Sequence, residues 1–131
     1  MYKRILVPVD GSEMSRKAGY EAVKLAKELN STIIVTHIAD QKSTIPYDEL
    51  EARGRKYIDE IRDYATENNV ESEDILIYGS PKNDIRIIAR KSQADLIILG
   101  THGATGLTSM LLGSFAQFVI KNIDLPVMLI K

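Results

Sequence analysis

The 131-residue chain contains no cysteine. That excludes disulfides, a thiolate metal site and a cysteine nucleophile, and it suits a reducing compartment. It also lacks a charge excess: 17 basic residues face 18 acidic ones. No single-sign field draws in nucleic acid, and no Lys/Arg run marks a nucleic-acid patch, so no nucleic-acid partner is expected. Long apolar runs are missing too. Nothing approaches the ~20 residues that span a bilayer, so no membrane partner is expected. The opening MYKRILVPVDGS is interrupted early by Pro8 and Asp10 and does not read as a signal peptide. A cytoplasmic location is the resulting expectation. The length suits one domain, 1–131, able to bury a sizeable core.

What is present is an alternation of strand and helix signals. Lys3 to Val9 is an apolar, branched run ended by Asp10-Gly11-Ser12, a turn signal. Ser12 can cap a following helix whose apolar positions are Met14, Ala18, Ala22, Leu25 and Leu29, closed by Asn30-Ser31. Thr32 to Ala39 is a second strand, and Gln41 to Pro46 a loop. A long helix follows from about Tyr47 to Glu67, with Leu50, Gly54, Tyr57, Ile61 and Ala65 on its apolar face. Asp74 to Tyr78 is a third strand. Gly79-Ser80-Pro81 turns the chain, with Ser80 as N-cap, into a helix that buries Ile85, Ile88 and Ala89. Asp95 to Leu99 is the fourth strand; a helix ending near Asn122 and a strand from Pro126 to Ile130 complete the chain. This pattern predicts an α/β fold: an open, mostly parallel five-stranded sheet of Rossmann-like type with helices on both faces.

In such sheets ligands bind beyond the carboxyl ends of the strands, where strand order reverses. Two loops carry suitable chemistry. One is Pro8-Val9-Asp10-Gly11-Ser12. The other, between the fourth strand and the last helix, carries Gly100, Gly103, Gly106 and Gly113, the last followed by Ser114. No Gly-Lys-Ser/Thr occurs, so the loop is not a Walker A sequence. Gly100 and Gly103 are two residues apart, so it is not G-x-G-x-x-G. The pattern is G-x2-G-x9-G-S. Gly100 and Gly103 allow the backbone to turn sharply, while Gly113 and Ser114 open a helix whose amides and dipole favour an anion. Such amides hold phosphate without a cationic side chain.

Simpler structural roles compete at each of these residues. The glycines suit a tight turn with close helix packing, and Asp10 can cap the first helix. His102 reads as a loop-stabilising histidine, having no carboxylate or serine partner at a motif spacing. His37 reads as a packed or hydrogen-bonded strand residue, and Asp40 as a solvated loop acid. Met110-Leu111-Leu112 reads as core or interface.

On these residues the chain resembles the universal stress protein family, in its ATP-binding subclass. The resemblance rests on KRILVPVDGS, HIAD, DLIILGTHGATGL, LLGSFAQFVI and LPVMLIK, and on G-x2-G-x9-G-S, the signature of that subclass. It implies strand order 3-2-1-4-5. It implies a nucleotide site in which Pro8 and Asp10, within a loop that also supplies Val9 and Ser12, line the ribose and base side. Ile38 would contact adenine, Gly100 and Gly103 would border ribose and phosphate, and Gly113, Ser114 and the Phe115 amide would hold phosphates. ATP, or ADP or AMP, is the implied ligand, with Mg²⁺ held mainly by the phosphates and in part by Asp10. A homodimer paired antiparallel through Val127, Met128, Leu129 and Ile130 is implied as well, and a protein partner is possible. The short Gln41–Tyr47 connection leaves the lid over the site open. With no Lys or Arg in the glycine loop, the expected activity is holding ATP with slow or no hydrolysis, and no catalytic residue is assigned. A slow ATPase or nucleotidyl-transfer enzyme, with Ser114 or His102 assisting Asp10, is one alternative. A nucleotide-independent dimeric interaction module is another.

Overall fold

A computed structural model describes residues 1–103 and 111–131. Gly106 and Met110, singled out above, lie outside the described residues. Five strands and four helices alternate: β1 (Arg4–Pro8), α1 (Glu13–Leu29), β2 (Thr32–Asp40), α2 (Tyr47–Glu67), β3 (Ser72–Gly79), α3 (Pro81–Lys91), β4 (Leu96–Gly100), α4 (Ser114–Asn122) and β5 (Val127–Ile130). The strands form one sheet in the order β3-β2-β1-β4-β5. All four strand pairs are parallel, so the sheet is more uniform than the mostly parallel one expected.

Parallel strands covered on both faces need side chains that are apolar in either direction. Here Ile5, Val7, Val9, Ile33 and Val35 pack on one side with α1 and α2. Leu6, Ile34, Ile97 and Leu99 pack on the other with α3 and α4. The buried face of α1 differs from the expected one. Ser15, Ala18, Gly19, Ala22, Val23 and Ala26 are buried, whereas Leu29 is exposed. Small residues won these positions because α2 crosses closely: a Cβ on Gly19 would stand 2.5 Å from Ile61 Cδ1. On α2 the buried face is Leu50, Gly54, Ile58, Ile61 and Ala65. Tyr57 is only half-buried, because it turns toward the strand ends.

The helix ends follow local chemistry. Ser12 Oγ accepts from the Ser15 amide, as an N-cap should, and Asn30 closes α1 in the left-handed conformation. Ser80 occupies the N-cap position of α3 without using its hydroxyl. Instead its amide donates to Asp84 Oδ2 at 2.7 Å. Leu111 is 91% exposed, so it is not core within this chain.

Candidate functional site

Strand order reverses between β1 and β4, which leave the sheet in parallel with their carboxyl ends side by side. A cleft of about 580 Å³ opens there, bounded by described residues of both expected loops. That volume lies in the ~300–1,000 Å³ range of small-molecule sites.

The first wall is the end of β1. Val9 is held on β2 by its amide, which donates to Thr36 O at 2.8 Å, and by His37 Nδ1, 2.7 Å from Val9 O. The Asp10 amide donates to Ser15 Oγ at 3.0 Å. Asp10 Oδ1 accepts from the Ser12 amide at 2.9 Å. The chain then turns through Gly11, whose φ of +83° disfavours any side chain. Pro8, Val9 and Asp10 therefore border the cleft, while Ser12 caps α1 and does not line it. Ser15, one turn into α1, does.

The second wall is the glycine loop. Thr101 is buried and fixed on both sides: its amide donates to Ile130 O at 2.9 Å, and its carbonyl accepts from the Gly113 amide at 2.7 Å. The glycines serve close approach here more than the sharp turn expected, since Gly11 alone among the described glycines has a positive φ. A Cβ on Gly113 would lie 3.2 Å from His102 Cα, and one on Gly100 would lie 3.0 Å from the Met14 backbone. Gly113 is the N-cap of α4, and the first ladder bond there runs from Gln117 N to Gly113 O. The Gly113 amide is already committed to Thr101. The amides of Ser114, Phe115 and Ala116 remain outside the ladder, at the positive end of the helix dipole. Gly100, Gly103, Gly113, Ser114 and Phe115 all border the cleft, and Ile38 borders it from β2. This donor set suits an anion carried on an organic body.

Several cleft residues escaped the sequence reading. His37 and Tyr57 line it, their rings 5.3 Å apart and edge to face. Lys42, Arg53 and Lys82 bring cationic side chains from the β2–α2 loop, α2 and α3. Arg53 is also paired with Glu49 at 2.6 Å. His37 begins the HIAD stretch, whereas Tyr57, Lys42, Arg53 and Lys82 belong to no motif and only the strand order assembles them. His37 is hydrogen-bonded, as expected. His102 Nδ1 lies 3.1 Å from Thr101 Oγ1, a hydroxyl neighbour that motif spacings did not flag. Asp40, expected as a solvated loop acid, is exposed but is the last residue of β2 and borders the cleft, where its Oδ1 accepts from the Lys42 amide. Among the described residues no group of three or more His, Asp or Glu side chains is arranged to hold a metal. No helix of the described residues is long and apolar enough to cross a membrane.

An α/β sheet with a helix start facing an aspartate loop across the switch point places a ligand crevice at the carboxyl ends of the strands. The universal stress protein family model matches residues 1–131, and the chain belongs to that family. It is 33% identical to universal stress protein MJ0531 of Methanocaldococcus jannaschii, a match covering 100% of this chain and 83% of that protein. The solved structure of MJ0577, from the same organism, superposes with a TM-score of 0.85 at 31% identity, covering 100% of this chain and 96% of that one. A universal stress protein from Archaeoglobus fulgidus, solved in complex with dAMP, shares the fold with a TM-score of 0.78 at 23% identity, covering 99% and 98%.

Proposed function

We propose that this protein binds an adenine nucleotide, ATP foremost, in the cleft between the Asp10 loop and the start of α4, and that it holds the nucleotide without rapid turnover. The observation that carries the reading is the set of helix-start amides at Ser114 and Phe115 facing Asp10 across the switch point. The dAMP complex of the Archaeoglobus relative supports a nucleotide in this fold. Pro8, Val9 and Ile38 would take the base and ribose side, Gly100 and Gly103 the ribose and first phosphate, and Gly113, Ser114 and Phe115 the phosphate chain. Ser12 acts only through the cap it gives α1. Mg²⁺ would be held by the phosphates, with Asp10 the nearby carboxylate. Phosphoryl transfer needs positioned cations and an oriented nucleophile, and the loop from Gly100 to Gly113 supplies no Lys or Arg. Titration calorimetry with Mg·ATP tests this: saturable binding is expected, and its absence for ATP, ADP and AMP alike removes the reading.

A slow ATPase is the second reading, and the Thr101–His102 contact favours it, since it pairs a hydroxyl with an imidazole beside the cleft. Turnover above a protein-free blank that disappears in His102→Ala while binding persists would establish it. The same family reading proposes a homodimer in a stress response, with β5 strands paired antiparallel through Val127–Ile130. An apolar edge strand needs such cover. Sedimentation at several concentrations distinguishes dimer from monomer.

A further inference from the structure

His37, on β2, pairs with Leu76 of β3 three residues before its strand ends, and neither the Asp10 loop nor the glycine loop includes it. Its Nδ1 lies 2.7 Å from the carbonyl oxygen of Val9. A carbonyl only accepts, so Nδ1 carries the proton in this contact. The neighbouring Thr36 carbonyl takes the Val9 amide at 2.8 Å. Two consecutive residues of β2 thus clamp both polar groups of the residue that precedes Asp10. Behind the imidazole, α2 gives way: a Cβ on Gly54 would stand 2.5 Å from His37 Cδ2 and 3.3 Å from Cγ. One turn further along α2, Tyr57 meets the imidazole edge to face. The Tyr57 ring also lies beneath Gly11, where a Cβ would approach it to 2.5 Å. Two glycines, one on the helix and one in the loop, therefore make room for a histidine–tyrosine bracket that joins α2 to residues 9–11.

We propose that His37 is a positioning residue of the cleft. Its Nδ1–H holds the Val9 carbonyl and so sets Asp10 opposite Gly103, with Tyr57 as the backstop of the turn. The consequence for ligand affinity rests on the nucleotide reading above; the consequence for loop position does not.

The test separates donor from ring. His37→Phe keeps the ring and loses the donor, whereas His37→Asn keeps an N–H near the Nδ1 position and loses the ring. In ligand-free protein, the amide resonances of Asp10, Gly11 and Ser12 should shift in His37→Phe and stay near wild type in His37→Asn. ATP affinity should fall about tenfold in His37→Phe, the worth of one hydrogen bond to a placed group. It should stay within about threefold in His37→Asn, even though the void left there lowers the melting temperature. A merely structural histidine would give the opposite order, with affinity following stability. Unmoved loop amides in His37→Phe overturn the proposal. So does a wild-type nitrogen spectrum showing only the Nε2–H tautomer, which needs no variant to fold. If the wild type binds no nucleotide, the nucleotide reading fails while the loop resonances and the tautomer still decide the role of His37.

Discussion

A Cβ placed on Gly103 would stand 2.9 Å from Oδ2 of Asp10. The two loops that the sequence marks separately, 93 positions apart by number, thus meet side chain to backbone, and the carboxylate occupies the space that any other residue at 103 would need. Gly103→Val should therefore displace Asp10 and weaken ATP binding by about tenfold or more, while costing about 1–2 kcal/mol of stability. Calorimetry and a urea melt measure the two effects, and wild-type affinity in a folded Gly103→Val protein would contradict the expectation.

At Ser114 the change is smaller and selective. Ser114→Ala removes one hydroxyl at the start of α4 and leaves its amides in place. Loss of a hydrogen bond of about 0.5–1.5 kcal/mol predicts roughly three- to tenfold weaker ATP binding. Adenosine, which carries no phosphate, should bind as to the wild type. Equal losses for both ligands would move the phosphates elsewhere in the cleft.

Gly54 offers a test in which two effects of opposite sign compete. Alanine is a better helix former than glycine by ~1 kcal/mol. Against this, the added methyl would lie 2.5 Å from His37 and 2.8 Å from Leu76, an overpacking that costs about 1–3 kcal/mol. Gly54→Ala should be net destabilising in chemical denaturation. A higher midpoint than wild type would show that α2 can move away.

How much of this was legible follows from which residues carry local signals. Asn30, Pro46 and Pro81 punctuate the chain through their own backbone preferences, so the limits of α2 were read correctly, and Pro81 and Gly113 were placed at the starts of α3 and α4. On α1 the expected Ala18 and Ala22 are buried, but Leu29 is exposed and the small Ser15, Gly19 and Ala26 were missed, because close crossing by α2 favours small residues that carry no strong apolar signal. The cleft loops were visible as glycine spacing and a turn. Lys42, Arg53, Tyr57 and Lys82 were not, since only the run β3-β2-β1 on one side of the sheet brings them there. Strand order itself came from family resemblance, which local patterns do not encode.

Acid should weaken the fold through two carboxylates. Arg4 donates to both oxygens of Glu73, at 2.9 and 2.8 Å. These hydrogen bonds pull the carboxyl below its ordinary 4.5, with burial opposing. Burial pushes Glu60 up, but the Tyr20 hydroxyl and Arg16 outweigh it, and the net direction is again downward. A carboxyl depressed in the folded state stabilises fully above its unfolded value, and that stabilisation is lost as pH falls through the folded one. Thermal melts from neutral pH downward should thus decline below about pH 4.5, and more gently in Glu73→Gln and Glu60→Gln. At neutral pH each variant should melt below wild type, only slightly because both pairs are solvent-exposed, and should converge with it in acid. Parallel acid limbs in all three proteins would exclude these carboxylates as the cause.

Met128, in the middle of β5, is 39% exposed. If β5 is the seam of a dimer, Met128→Glu places two like charges in it and should yield a monomer by sedimentation. An unchanged oligomeric state would place the seam elsewhere.

The hydrogen bond from the Thr101 amide to Ile130 O has a mechanical meaning. The glycine loop is moored to the outermost strand of the sheet, one residue from His102 and two from Gly103. A single backbone hydrogen bond therefore makes the open edge of the sheet and the wall of the cleft immediate neighbours, with Thr101 between them.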